Sequence, residues 1–350
     1  MPMCRRRIEG AVKALAKPII WRVEGMKLPR RRFLHLAAGA ATFPAIARIA
    51  QAQNYPAQPV RIMVGFAAGG PADIVARLFA QWLSERLGQQ FVVENRAGAG
   101  GNIAVDSVIR AAADGYTLLH VTSTNAFNAT LFEKLNFDLI RDIAPVATFL
   151  RNPGVIVVNP SFPAKSVPEF IAYAKGNPGK INIASGGPGS ISHIYAELFK
   201  AMAGVDLTPI HYRGIGPAIP DLIGGQIQVM FDLLPSSIGY IKAGQLRPLA
   251  VTSATRLELL PEIPTVAEFV PGYEASGWQG IAAPKSTPRE IIDKLNKETK
   301  AILADSKTKA RLADLSGSAF ATSPAEFGKH IADEIEKWGG VIRAAGIKAG

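Results

Sequence analysis

Short, mainly apolar runs alternate along this chain with stretches whose apolar positions recur every three to four residues. The first run, Val60-Arg-Ile-Met-Val-Gly-Phe66, predicts a buried strand. Ala67-Ala-Gly-Gly70 predicts the turn that ends it, and Pro71 suits the first position of a helix. Ile74/Val75, Leu78/Phe79, Trp82/Leu83 and Leu87 then keep helical period until Gly88, a predicted C-cap. Asp73 falls in the first turn, where a carboxylate complements the helix dipole. Phe91-Val-Val-Glu94 predicts the next strand.

The unit recurs. Tyr116–Val121 predicts a strand running into Thr122-Ser-Thr-Asn125. Ile181–Ala184 predicts another, running into Ser185-Gly-Gly-Pro-Gly-Ser190. Ser190 is a credible N-cap for a helix carrying Ile191, Ile194, Tyr195, Leu198 and Phe199. Strands are also predicted at Ile227–Phe231, ending in Asp232, and at Leu246–Thr252, and helices at Pro288–Leu303 and Pro324–Ile342. This alternation predicts an α/β fold with mainly parallel sheets. In such sheets ligands bind in the crevice beyond the carboxyl ends of the strands. A chain of 350 residues suggests two lobes, whose facing sheets would enclose a cleft.

Charge changes this picture only at the N-terminus. The formal net charge is +11, but residues 1–52 hold eleven Lys/Arg and two Asp/Glu, and the remainder carries about +2. The excess therefore reads as an export signal and gives no indication of a nucleic-acid partner. Arg30-Arg31-Arg32-Phe33-Leu34 fits the twin-arginine pattern, with an ordinary Sec signal as the alternative. An apolar stretch, Leu36–Ile46, follows, and Ala50-Gln51-Ala52 is an A-x-A cleavage site. Met26 is a possible true start. Cleavage after Ala52 would release a soluble periplasmic protein. The single cysteine, Cys4, precedes the cleavage site, so the mature chain has no disulfide and no thiol chemistry.

Four loops could carry chemistry. Phe66-Ala-Ala68-Gly69-Gly70-Pro-Ala-Asp73 has small residues that admit a ligand to the backbone, and it points amides outward at a helix start; this is an anion site or a plain strand-to-helix turn. Asn95-Arg-Ala-Gly-Ala-Gly-Gly-Asn102 lacks the third glycine of a dinucleotide fingerprint, because Ile103 occupies its position. Ser185-Gly186-Gly-Pro-Gly189-Ser190-Ile-Ser192-His193 offers hydroxyls at a second helix start. A Ser/His/Asp hydrolase using Ser190 or Ser192 with His193 and Asp232 is a competing reading, but no G-x-S-x-G elbow is present. In His211-Tyr212-Arg213-Gly214, Arg213 either pairs with a ligand carboxylate or is a solvated charge. No metal or nucleotide motif occurs, so no cofactor is expected.

Taken in order, these residues resemble the tripartite tricarboxylate transporter receptors, the Bug-type solute-binding proteins. The matches are Phe66-x-Ala-Gly-Gly-x-x-Asp73, Asn95-Arg-x-Gly-Ala-Gly-Gly101, Asp138-x-x-x-Asp142-x-x-Pro145-Val146 and Ala184-Ser-Gly-x-x-Gly-Ser-x-x-His193. Tyr212-Arg-Gly214, Leu260-Pro-x-x-Pro-Thr-Val-Ala-Glu268 and Trp278-x-Gly, followed by Ala283-Pro-x-x-Thr-Pro288, continue the series, as do Ile292–Asn296. The resemblance spans about residues 55–350. Gly65 stands where many members carry Pro, which implies a change in loop stiffness more than in ligand class.

The resemblance implies a type II periplasmic-binding fold of two α/β lobes with a ligand cleft between them. Residues 53–150 and 276–350 would form one lobe and residues 151–275 the other. It also implies that the loops Phe66–Asp73 and Ser185–His193 face each other and hold a carboxylate by backbone N–H groups, hydroxyls and water. The implied function is a non-enzymatic receptor that closes on a small organic carboxylate and delivers it to the membrane permease subunits of a tripartite transporter. A ligand sensor for a signalling partner is the alternative. The mature protein is expected to be monomeric. The candidate ligand-binding residues are Phe66, Ala68, Gly69, Gly70, Asp73, Ser123, Thr124, Asn125, Ser185, Gly186, Gly189, Ser190, His193, Tyr212, Arg213, Gly214 and Asp232.

Overall fold

The structure is a computed structural model and describes residues 55–349. The segment expected to direct export, residues 1–52, lies outside the described residues. The strands are β1 (Val60–Val64), β2 (Phe91–Asn95), β3 (Thr117–Thr122), β4 (Ile143–Val158), β5 (Asn182–Ser185), β6 (Thr208–His211), β7 (Val229–Leu233), β8 (Arg247–Val251), β9 (Ser276–Pro284) and β10 (Ser318–Ala319). The helices are α1 (Pro71–Leu87), α2 (Asn102–Ile109), α3 (Ser123–Leu131), α4 (Val167–Gly176), α5 (Ile191–Ala203), α6 (Ala218–Ile223), α7 (Leu234–Lys242), α8 (Arg289–Ala304), α9 (Ser306–Asp314) and α10 (Pro324–Ala344).

The local signals act as expected at the helices that matter here. Pro71 opens α1 and Gly88 closes it in the left-handed region, at φ 70°. The Ser190 hydroxyl caps α5 by accepting from the His193 N–H. Ser323 and Glu326 form a capping box at the start of α10.

The strands hydrogen-bond in the order β2-β1-β3-β9-β4-β7-β5-β6, and β8 and β10 also pair with β4. β1 is parallel to β2 and β3, and β5 is parallel to β6 and β7. The expectation of mainly parallel pairing fails at the centre, where β9 runs antiparallel to β3 and β4, and β4 antiparallel to β7 and β8. The reason is β4 itself, 16 residues long. It pairs with β9 as far as Pro153↔Ser276 and with β7 from Gly154↔Leu233 onward. Gly154 permits the change of partner: a Cβ there would collide with the Thr252 hydroxyl and lie 3.0 Å from the Asp232 carbonyl oxygen.

One apolar cluster packs α1 and α8 against β1, β3, β4 and β9. Another surrounds β5 and β7. The second cluster also takes in Phe127 and Trp338; Trp338 stacks on Tyr195 at 5.3 Å and meets Phe127 edge-on at 5.3 Å. Among the described residues no helix is long and apolar enough to cross a membrane.

Candidate functional site

A cavity of about 270 Å³ opens beside the point where β4 changes partner. Phe66, Ala67 and Gly70 of the β1–α1 loop line it, with Pro71 and Ala72 of α1. Thr122, Ser123 and Thr124 bring in the start of α3, Ile191 is the first residue of α5, and Leu233 immediately precedes α7. Asn152 of β4 and Gly277, Trp278 and Gln279 of β9 complete the wall. Four helices therefore begin at this cavity, and no charged side chain lines it. Helix starts carry partial positive charge and unpaired N–H groups, so an uncharged wall can still attract an anion.

The first loop is held by Asp73. Its carboxylate accepts from the Gly69 N–H (2.9 Å), Arg77 Nε (2.9 Å) and Asn95 Nδ2 (2.8 Å). Asn95 Nδ2 also donates to the Phe66 carbonyl oxygen (3.0 Å). Burial pushes the Asp73 carboxyl up, but these bonds and the Arg77 charge outweigh it and hold the group at about 2. Asp73 thus faces inward and shapes the loop. Gly69 sits at φ +79° with open space where a Cβ would lie, so its constraint is the backbone angle and not close packing. The N–H groups of Ala72 and Asp73 stay outside these internal bonds.

The third loop is held by hydroxyls. Ser185 Oγ lies 3.3 Å from Ser190 Oγ, and Ser190 Oγ lies 3.1 Å from Ser192 Oγ. The Gly186 N–H donates to Ser192 Oγ (2.8 Å) and the Gly189 N–H to His193 Nδ1 (3.2 Å). Burial pushes His193 down to about 4, helped by the charges of His211 and Lys200. The ring is therefore neutral with its proton on Nε2, on the side of Glu197. The Gly214 N–H donates to the Gly186 carbonyl oxygen (3.2 Å), which ties the fourth loop to the third.

Of the sequence candidates, Phe66, Gly70, Ser123 and Thr124 line the cavity. Ala68, Gly69 and Asp73 belong to the same loop but do not line the cavity; Ala68 and Gly69 are exposed and Asp73 is buried. Asn125 turns inward, its Oδ1 accepting from the Thr122 N–H (2.8 Å) to shape the start of α3. Ser185, Gly186, Gly189, Ser190 and His193 form the turn before and around Ile191 without lining the cavity in this conformation. Tyr212 instead donates to Asp221 Oδ2 (2.7 Å), and Arg213 and Gly214 are exposed. Asp232 Oδ2 accepts from Ser237 Oγ (2.7 Å) at the start of α7. Burial raises this carboxyl to about 6 against the bonds from Ser237, Leu233 and Ser236. The partners of Ser190, Ser192, His193 and Asp232 do not link them into a hydrolase triad.

Asn152, Ile191, Leu233, Trp278 and Gln279 were not among the candidates. Trp278 Nε1 donates to Glu334 Oε2 (2.9 Å), and Trp338 Nε1 donates to the same oxygen (2.9 Å). The indole N–H of Trp278 is thus already engaged, and the cavity meets an apolar ring there. Gln279 Oε1 lies 2.9 Å from His120 Nε2, and Gln279 Nε2 donates to Asn152 Oδ1 (3.3 Å).

Comparison with known proteins adds four findings. A family described as "Tripartite tricarboxylate transporter family receptor" matches residues 75–347. The chain is 37% identical to protein BugT of Bordetella pertussis over 306 residues, covering 87% of this chain and 94% of that protein. It superposes on an R. palustris protein solved with adipate at a TM-score of 0.74 and 37% identity, covering 84% of this chain and 99% of the other. MatC of Rhodopseudomonas palustris, solved with bound malate, gives a TM-score of 0.69 and 32% identity over 82% of this chain and 100% of that one.

Proposed function

The chain belongs to the tripartite tricarboxylate transporter receptor family, and we propose that its cavity captures a small organic carboxylate by closure of two lobes and hands it to the membrane subunits. The observation that carries this is an uncharged cavity built from four helix starts. Relatives solved with adipate and with malate support a carboxylate as the ligand class. Charge-assisted hydrogen bonds are worth about 1.5–3 kcal/mol each. Four or five of them, less the ordering costs, leave about −8 kcal/mol, an affinity near micromolar.

The lobes are residues 53–150 with 276–350, and 151–275. Closure about the partner change at Pro153/Gly154 brings the Phe66–Asp73 loop toward the loop of Ser185, Gly186, Gly189, Ser190 and His193, and Tyr212, Arg213 and Gly214 follow that second loop. The protein is exported, loses residues 1–52, works in the periplasm as a monomer, and catalyses nothing. Supporting this are the basic and apolar pattern before Ala52 and the receptor family itself.

The test is calorimetry of the protein lacking residues 1–52 against malate, succinate, adipate and their monoacid counterparts, with product analysis of added esters and amides. One-to-one binding near micromolar without turnover is expected. Catalytic consumption of any substrate, or no binding by any acid, rejects the proposal.

A further inference from the structure

Behind the cavity wall lies a buried chain of three side chains. His120 Nε2 meets Gln279 Oε1 at 2.9 Å, and Gln279 Nε2 donates to Asn152 Oδ1 at 3.3 Å. Gln279 and Asn152 line the cavity; His120 does not, being 2% exposed and stacked on Phe149 at 5.8 Å. His120 Nδ1 is buried and meets no partner among the described residues.

This chain can be polarised in only one direction at low cost. An oxygen opposite Nε2 requires the imidazole proton on Nε2, which leaves Nδ1 as a bare lone pair. Reversing both amides would require the proton on Nδ1, a buried N–H with no acceptor, and orphaned N–H groups are the rarer and costlier defect. Burial pushes His120 down to about 4, so the ring is neutral at physiological pH. With the proton on Nε2, the second hydrogen of Gln279 Nε2 and both of Asn152 Nδ2 remain outside the chain.

We propose that His120 is a positioning residue that fixes the polarity of the Gln279–Asn152 pair, making this wall a hydrogen-bond donor that reads a second oxygen acceptor on the ligand. It rests on the carboxylate reading of the same cavity. The ligand class that follows is a diacid or oxo-acid: one carboxylate at the helix starts, a short chain against Trp278 and Leu233, and a distal oxygen at Asn152 and Gln279.

The experiment measures the ratio of affinities for adipate and hexanoate, and for succinate and butyrate, by calorimetry. The natural protein should prefer the diacid of at least one pair by tenfold or more. His120→Phe, which keeps the buried ring, and Gln279→Met, which keeps the length, should each bring that ratio to within about threefold of unity, through a larger loss of diacid than of monoacid affinity. His120→Gln places an amide nitrogen as far along the side chain as Nε2 and should restore the preference. An unchanged ratio in His120→Phe, or equal loss of both acids with a lowered Tm, overturns the positioning role. A natural protein that binds hexanoate as well as adipate and butyrate as well as succinate overturns the distal-acceptor reading while leaving the carboxylate reading intact. Failure to bind any acid overturns both.

Discussion

Gly65 and Gly101 meet backbone to backbone: a Cβ on Gly65 would stand 2.6 Å from Gly101 Cα and 3.0 Å from the Gly101 carbonyl oxygen. This contact locks the end of β1 against the turn that opens α2. Any side chain at residue 65 needs the 95–102 turn to stand further off. Overpacking of this kind costs about 1–3 kcal/mol. Gly65→Ala should therefore lower Tm by several degrees and weaken ligand binding through displacement of Phe66. Thermal melts together with calorimetry check this, and a full-affinity variant of unchanged Tm would show that the turn yields freely.

Asp73 gathers three donors, so Asp73→Ala strands the Gly69 N–H, the Asn95 amide and the Arg77 guanidinium. The expected loss is about 2–3 kcal/mol of stability, with binding weakened because the β1–α1 loop loses its shape. Its pKa of about 2, against 3.8 ordinarily, sets the pH window. A carboxyl depressed by folding stabilises above its unfolded value and loses that contribution as pH falls from about 4 through about 2. Denaturant titrations from pH 2 to 6 should show this slope in the natural protein and a shallower one in Asp73→Ala, where other depressed carboxyls such as Asp142 and Glu268 remain.

Asp232 has the opposite sign. Burial raises its carboxyl to about 6, so the folded chain holds a proton that the unfolded chain releases, and stability falls as pH rises from about 4 to 6. Asp232→Asn keeps an acceptor for Ser237 and removes the buried charge. It should be more stable than the natural protein at pH 7 by on the order of 2 kcal/mol. The two should converge near pH 4. Paired denaturant curves at pH 4 and pH 7 decide it.

Glu334 accepts from two indoles, one on the cavity wall and one stacked on Tyr195 of α5. Glu334→Ala leaves two buried N–H groups without an acceptor, a cost of about 3 kcal/mol. Glu334→Gln retains an acceptor oxygen and should lose less. Tm falling in the order natural, Gln, Ala, with shifted tryptophan emission, is the expected result.

The ends of these helices were legible because each rests on a local signal: Pro71 and Asp73 at the start of α1, Gly88 at its end, Ser190 at the start of α5. The strands β4 and β9 were not. Pro145, Pro153, Arg151 and Asn152 interrupt the apolar pattern of β4, yet the strand continues because it pairs on both sides with partners more than 70 residues away. The cavity residues contributed by these strands went unread for the same reason. Nothing near Asn152 or Gln279 in the sequence marks them, since tertiary pairing alone brings them to the Gly-rich loops. Trp278 did stand in a recognisable Trp-x-Gly pattern, and its indole gives the cavity an apolar wall while its N–H serves Glu334. Asp73 and Asp232 show what a sequence leaves open: a carboxylate near a loop can organise the loop as readily as it can face a guest.

A pocket that offers only fractional charges at helix tips has little to give a neutral guest. An acid that has picked up a proton would forfeit most of its attraction there, whatever the protein's own groups do. The acid limb of uptake would then track the ionisation of the cargo, shifting from one acid to another while the carrier stays the same.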